Sequence, residues 1–521
     1  ESPYFHIAVI DGDTKQGVPL VLLRTGNYLE YYTDSAGNVA FFEPGLMDQP
    51  VYFTVLSDGY NLSTTTPTPS PYDNGVELQT TSGGLATVVL VRTQVAERRY
   101  RLTGGGLYRD SLLVGAPIPP TVRAREVIDT KSGSIGQDSV ILAYYGSQVY
   151  WLFGDTVCPR SARQDNCNGT GMYTVGATSC LPCDDCPHCD IVGPPDLTYL
   201  GDNSPHGFHH PHPIAPIPPL DQNTWIFAAS IIEGQDGEEM WAFYFKNPGD
   251  GGGAGAARKG MARWDDSSKV FQPRSTWPRN ATLDLNGAKT VQVLSDKDKA
   301  QGWTYFTGSY VYCRVKSTAA AMEDYDSFEV FSPVLSDGRL DVQGWGWGRG
   351  RIPLTHQMEQ QLVATGKLDT PRLGWVLRSG ERVDGSYGGG SVNWNEWAQR
   401  YVFLGTGGPD YGIYVAFAWN LTGPWVNGSQ VASHARSGSS CYNGLHMPHM
   451  DDAHYISFAC TYTAMWSNTD KTPNLWTTCL FGLNSHQDCA RVVPRYEYNN
   501  LIYRVDLRHL VVPDISTGLH E

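Results

Sequence analysis

Two aspartates bracket one predicted β-hairpin: Asp138 in "GQDS" and Asp155 in "FGDT". A hairpin returns the chain to the end it left, so both carboxyl groups are expected together. Two carboxylates in one cleft are the minimum kit for cleaving a glycosidic bond. One carries a proton, and the other stays ionised as base or nucleophile. Proximity alone pushes their pKa values apart. The competing expectation is structural, because an Asp in a Gly-Asp-Thr turn also caps backbone N–H groups. A third acid is sought among Glu238, Glu239, Asp384 and Glu396. For each of these the competing expectation is a solvated strand start or turn.

Histidines cluster twice. His206, His209, His210 and His212 lie in the proline-rich "SPHGFHHPHPIAPIPP", whose prolines argue against regular structure. His446, His449, Asp451, Asp452 and His454 lie in "HMPHMDDAHY". Imidazoles and carboxylates at short spacing can hold zinc or copper. Neither run has the helical or strand frame of a metal site, so no metal and no cofactor is assigned. His209 and His449 are taken instead as residues of a sugar-binding face, together with the aromatic residues Tyr387 and Trp394. Trp345, Trp347 and Trp397 share the same two expectations: stacking on sugar rings or packing between sheets. No Gly-rich phosphate loop, G-x-S-x-G elbow or H-E-x-x-H motif is present.

These residues are set in a chain whose strand pattern recurs. "GQDSVILAYYGSQVYWLFGDT", "NTWIFAASIIEGQDGEEMWAFYFKN", "GWTYFTGSYVYCRV", "NEWAQRYVFLGTGGPDYGIYVAFAWNLTGPW" and "HYISFACTYTAMWS" each give an aromatic-rich strand, a turn and a further strand. Recurrence of such groups is the mark of a propeller, here with five blades over residues 127–521. Residues 1–97 alternate apolar and polar positions between Gly/Asp turns and predict a separate antiparallel sandwich. Residues 98–126, with a Gly triplet and a Pro pair, predict a linker. The expected fold is therefore all-β: an N-terminal β-sandwich plus a five-bladed β-propeller with Cys-rich and His/Pro-rich insertions.

"VIDGDTKQGVPLVLL", "YTDSAGNVAFFEP" and "VYFTVLSDGY" resemble the transthyretin-like and carboxypeptidase-regulatory sandwich modules. The first propeller repeat resembles five-bladed glycoside hydrolases of the arabinan-degrading type. In those, an Asp opening the first blade and a Phe-Gly-Asp-Thr turn one hairpin later build the catalytic face. Asp138 matches the first position, and Phe153, Gly154, Asp155 and Thr156 match the second. The resemblance implies a catalytic role for Asp138 and Asp155. It assigns no motif residue in the other blades.

The chain carries 38 basic and 53 acidic residues, a formal charge of −15, which disfavours a nucleic-acid or anionic-membrane partner. No apolar run is long enough for a membrane-spanning helix. The sequence opens inside a strand at Glu1, so a leader is expected to have been removed. Eleven cysteines and five Asn-X-Ser/Thr sequons, at Asn61, Asn168, Asn280, Asn420 and Asn427, predict a secreted, extracellular glycoprotein. Disulfides are expected within Cys158, Cys167, Cys180, Cys183, Cys186 and Cys189, and as local bridges Cys441 with Cys460 and Cys479 with Cys489. Cys313 is left as the odd thiol. Asn168 and Asn427 are expected in exposed Asn-Gly turns.

Two functions fit. One is a secreted carbohydrate-active propeller that hydrolyses or binds an extracellular polysaccharide or glycan. The other is a non-catalytic structural glycoprotein assembling into a matrix, sheath or filament. Head-to-tail self-assembly would use the sandwich as a whole or its terminal strand Tyr4–Ile10, which the sequence leaves without a preceding element to cover its edge; the competing expectation is that this strand pairs internally with a later one such as Val51–Ser57.

Overall fold

The computed structural model describes the chain except residues 1, 67–73, 105, 120–135, 158–173, 182–192, 204–208, 219–223, 247–257, 370, 384, 386–388, 409, 435–439, 464–497 and 511–521. Cys158, Cys167, Asn168, Cys183, Cys186, Cys189, His206, Asp384, Tyr387, Cys479 and Cys489 therefore lie outside the described residues.

The N-terminal residues form two four-stranded sheets. One runs Asn38–Phe41, Phe5–Asp11, Leu85–Arg92, Tyr60–Leu62; the other runs Glu30–Tyr32, Leu22–Thr25, Pro50–Leu56, Gly75–Gln79. Strict alternation along Phe5–Asp11 sends Phe5, Ile7 and Val9 inward, where they meet Leu23, Phe53 and Val55 of the facing sheet. This is the packing of a sandwich. Phe5–Asp11 is paired on both sides, antiparallel to Asn38–Phe41 and parallel to Leu85–Arg92. The terminal strand is thus an interior strand and offers no free edge.

Besides three two-stranded ribbons, the remaining described strands build five further sheets of four or five strands. Their first strands are Val140–Tyr145, Thr224–Glu233, Lys289–Thr290, Gly390–Asn395 and Ser440–His446. Each touches the next, and the fifth touches the first, so the sheets close into a ring around a common axis. This is a five-bladed propeller. Five hydrophobic clusters fill the five gaps between blades. The run "VILA" shows why the blade strands read as continuous apolar stretches. Val140 and Leu142 face the fifth blade, while Ile141 and Ala143 face the second, so a period of two buries both faces. Trp151, Trp241, Trp375 and Trp425 are fully buried in these gaps, and Trp345 and Trp347 pack at the edge of the third blade.

The segment expected to be a linker behaves otherwise. Glu97–Arg101 pairs antiparallel with Asn499–Asp506 as the outermost strand of the fifth blade, and Arg109–Val114 is a short helix. The sequence "ERRYR" conceals this because its arginines look solvated. Arg98 is instead fully buried. It donates to the carbonyls of Pro19 and Asp58 and to Ser57 Oγ, which satisfies the guanidinium and binds sandwich to propeller.

Cys441 and Cys460 form a disulfide with a Cα–Cα distance of 5.3 Å, and Cys180 is also disulfide-bonded. Cys313 is a buried free thiol. Asn61, Asn280 and Asn420 are exposed. Asn427 sits inside the strand Val426–Ala432, half-buried at a pairing irregularity with φ of 55°, and not in an exposed turn. A side-chain amide tolerates that left-handed conformation better than most residues. The histidine-rich segment also departs from expectation: His209–Pro211 pairs with Gly201–Asn203.

Candidate functional site

Asp138 precedes the first strand of the first blade, and Asp155 follows its partner strand Gln148–Phe153. Between them the hairpin is in register, from Val140 opposite Phe153 to Tyr145 opposite Gln148. The two aspartates are also tied directly. The Asp138 N–H donates to the Asp155 carbonyl at 2.8 Å, and the Gly154 N–H donates to the Asp138 carbonyl at 2.9 Å. Ser139 interrupts the ladder with φ of 34°, a conformation that costs an L-residue energy and persists only where its surroundings enforce it. Here they do: its N–H donates to Thr461 Oγ1 at 2.9 Å, and Asn443 Nδ2 donates to its hydroxyl.

Both carboxyl groups are half-buried, and side chains from three blades hold them. Asp138 Oδ1 accepts from Ser139 Oγ at 2.8 Å and from Thr461 Oγ1 at 3.2 Å, and Tyr442 bonds the same carboxylate. Asp155 Oδ1 accepts from Trp225 Nε1 at 2.7 Å, and Oδ2 accepts from Tyr498 at 3.4 Å. Burial raises the Asp155 carboxyl to about 7; the negative charge of Asp138 pushes the same way, and the bonds from Trp225 and Tyr498 oppose both. Tyr442 and Tyr498 bond one another, and burial next to the acids holds both phenols protonated. Beneath the pair, Gln137 accepts from Tyr199 at 2.8 Å, and its carbonyl accepts from Asn500 at 3.0 Å.

A third ionisable group belongs to the same mouth. Lys289, which opens the third blade, is 4% exposed. Burial lowers its amine to about 8, and the charge of Asp138 counteracts that. Sequence reading missed Lys289, Trp225, Tyr442 and Tyr498. A lysine inside "NGAKTV", a stretch that joins an apolar strand, was the one signal available for the first of them.

The described acids proposed as a third carboxylate, Glu238, Glu239 and Glu396, make their bonds elsewhere. Glu239 pairs with Arg263 at 3.1 Å, and Glu238 accepts from the Gly146 N–H at the far turn of the first hairpin. Glu396 bonds Trp394 and Gln399. Two of the four sugar-face residues are corrected as well. His449 packs on Trp151 and Tyr144 and bonds the Tyr144 hydroxyl at 3.0 Å. Tyr144 is five residues along the strand from Ser139, so His449 occupies the opposite mouth. Trp394 packs edge-on against Tyr401, with centroids 5.2 Å apart, in the gap between blades three and four. His209 is described only as a strand residue opposite Asn203. Among the described residues no group of three His, Cys, Asp or Glu is arranged to hold a metal ion. His446 instead bonds Asp451 at 2.9 Å.

No family model matches the sequence, and no curated protein matches it. Solved structures are similar to the chain only at a distance. A Bacteroides ovatus protein is 13% identical at a TM-score of 0.43, over 74% of this chain and 89% of that one. An exo-β-1,3-galactanase from Phanerochaete chrysosporium is 13% identical at a TM-score of 0.33, over 73% and 63%. An N-acetylgalactosamine deacetylase from F. plautii is 11% identical at a TM-score of 0.32, over 79% and 94%. Likenesses this distant carry no argument about function.

Proposed function

We propose that the chain is a secreted, carbohydrate-active propeller that hydrolyses glycosidic bonds in an extracellular polysaccharide at the mouth holding Asp138 and Asp155. One observation carries this reading. Two adjacent carboxyl groups occupy unequal environments, and burial beside Asp138 sets Asp155 to about 7. A carboxylic acid protonated near neutral pH next to an ionised partner is the division of labour that glycoside hydrolysis requires. Asp155 then protonates the leaving oxygen, and Asp138 acts as base or nucleophile. Exposed sequons at Asn61, Asn280 and Asn420, with the Cys441–Cys460 bridge, support passage through an oxidising secretory compartment.

A second reading, a non-catalytic glycoprotein of a sheath or matrix, is favoured by one feature. Both oxygens of Asp155 already have partners, Trp225 and Tyr498, within the fold. It has lost the open strand edge once expected to drive assembly, since Phe5–Asp11 is doubly paired. Turnover on a panel of neutral and acidic plant, fungal and bacterial polysaccharides decides between the readings. Product release by the wild type that disappears in Asp155→Asn and Asp138→Asn, with both variants folded, supports the hydrolase. An inert wild type that sediments as large assemblies at micromolar concentration sinks it.

A further inference from the structure

Tryptophans in this chain are packed away, with two exceptions. Among the described residues only Trp397 (43%) and Trp419 (62%) are exposed. Both stand on one rim of the fourth blade. Trp397 lies in the turn between Gly390–Asn395 and Arg400–Gly407, and Trp419 directly follows Gly412–Ala418. Register brings these strand ends together: Asn395 is opposite Arg400, and Tyr401 is opposite Ala418. Asn395 also reaches Asp451, the partner of His446. This rim therefore belongs to the histidine mouth and not to the acid pair.

The two tryptophans differ in their surroundings. Trp397 neighbours the His454 ring, with centroids 6.0 Å apart. Trp419 has the Arg400 guanidinium over one face, and its exposure leaves the other face open to water. The next residue, Asn420, begins the sequon Asn420-Leu421-Thr422. The local fold holds that asparagine outward. Leu421 is buried and packs into the gap between blades three and four, and the Gly423 N–H donates to the Asn420 carbonyl at 3.0 Å, which closes the turn. Asn420 itself is exposed. An indole face left in water is unfavourable and marks a contact surface. A pyranose presents an apolar face of C–H groups, and a flat aromatic ring is the shape that covers it.

We propose that Asn420 carries an N-linked glycan whose first sugars lie on the open face of Trp419, a contact between the chain's own glycan and the rim of the fourth blade. Attachment decides the occupant. A sugar tethered one residue from the ring is present at a high effective concentration, which a free saccharide or a second copy of the chain is not. The proposal rests on the secretory part of the reading above and not on its hydrolase part.

The test uses the full chain as secreted by a eukaryotic cell. Peptide mass mapping reads occupancy at each sequon, and hydroxyl-radical footprinting of the same peptides reads how open each tryptophan is. Asn420 should be occupied. In Thr422→Ala, which removes the sequon and keeps Asn420, labelling of Trp419 should rise at least about twofold as its one open face is uncovered. Labelling of Trp397 should stay constant, and Thr422→Ser, which keeps the sequon, should match the wild type. Thr422→Ala should also lower Tm by about 2 °C, the size of one surface contact in a large domain. In a Trp419→Ala background the same change should lower it no further, because the partner of the glycan is already gone. If Thr422→Ala is not secreted, Asn420→Gln serves in its place. An unoccupied Asn420 in a protein glycosylated at Asn61 and Asn280 overturns the proposal and leaves the secretory reading intact, whereas no glycan at any sequon overturns both. Equal labelling of Trp419 with and without the sequon also overturns it. Shielding of Trp419 that persists in Thr422→Ala and fades on dilution gives the ring to a second copy of the chain and overturns it as well.

Discussion

At one end of the strands Val140–Tyr145 and Gln148–Phe153 stand Asp138 and Asp155; at the other, ~20 Å along the strands at ~3.3 Å per residue, Tyr144 meets His449. Both ends bury ionisable side chains, and burial acts on each against the charged form. At the first end it leaves Asp155 holding its proton up to about 7, with Asp138 adding to the effect. At the second it lowers His449 to about 3, with His446 adding to the effect, so that imidazole stays neutral. One mouth keeps a proton ready to give at neutral pH, and the other keeps a histidine unable to take one. Titratable residues at both ends look like site residues in the sequence. Only the first end places its acid where the proton is available.

Breaking that contrast most strongly means removing the acids. Asp155→Asn and Asp138→Asn should each lower turnover of a responsive polysaccharide by about 10²–10⁴-fold, the usual contribution of a positioned acid or base. His449→Asn at the other mouth should leave kcat/KM within about twofold of wild type, as expected of a residue that touches no reacting group. Equal losses at the two ends, measured on folded proteins, would remove the functional distinction between them.

The next largest effect concerns the scaffold. The Cys441–Cys460 bridge joins the first two strands of the fifth blade, and the residues beside those cysteines, Tyr442 and Thr461, are the ones that bond Asp138. A loop of this length predicts a loss of about 3 kcal/mol in Cys441→Ala/Cys460→Ala, read from denaturant unfolding. Turnover at a temperature where the variant is still folded should also fall, because those two side chains lose their frame. Full activity alongside lost stability would separate the bridge from the site.

A smaller effect sharpens the comparison through pH. The folded state holds a proton on Asp155 between the ordinary 3.8 and about 7 that the unfolded state has released, so this group makes stability fall as pH rises through that window. For His449 the unfolded state holds a proton between about 3 and the ordinary 6.5 that the folded state lacks, so stability falls as pH drops through that window. The two slopes oppose one another across their overlap. Asp155→Asn should therefore make stability rise more steeply with pH between pH 4 and 6.5 than in the wild type, by about 1 kcal/mol per pH unit after solvent screening. His449→Asn should tilt the profile the other way. Parallel profiles in all three proteins would show that neither group is perturbed as described.

The ease of reading this chain followed its periodicity. "VILAYY" and "QVYWLF" alternate and are buried on both faces, so the hairpin and the pairing of its two aspartates could be inferred from sequence. The strand Lys289–Thr290 is two residues long and has no period to detect. Trp225 and Tyr498 reach Asp155 from positions 70 and 343 residues away, a separation that no local pattern encodes. The ring-closing strand Glu97–Arg101 was concealed because the partners of its Arg98, the carbonyls of Pro19 and Asp58 and the hydroxyl of Ser57, lie in the sandwich about 40 to 80 residues away. "HMPHMDDAHY" had the right residue types, but a short 3-10 turn at Pro448–Met450 carries His449 to the wrong mouth.

The smallest expected effect tests whether the mouth is complete without a third carboxylate. Glu239 is the strongest of the rejected acids, because it opens a blade strand, as a catalytic acid would. Its strand, Glu238–Lys246, runs antiparallel to Thr224–Glu233, so Glu239 lies opposite Ile232 while Trp225, which reaches Asp155, lies opposite Phe245. Seven residues of strand separate Ile232 from Trp225, ~23 Å at ~3.3 Å per residue. The Glu239 carboxylate there accepts from Trp241 at 2.8 Å and pairs with a partly exposed Arg263 at 3.1 Å. A pair this open contributes less than about 1 kcal/mol. Glu239→Gln should thus lower stability by less than about 1 kcal/mol and leave kcat, KM and both limbs of the pH profile unchanged. If kcat fell a hundredfold with the profile's alkaline limb displaced, the proton donor would be Glu239 and not Asp155. The neutral-pH proton of the carboxylate mouth would then have no part in the chemistry, and the contrast between the two ends would be one of electrostatics alone.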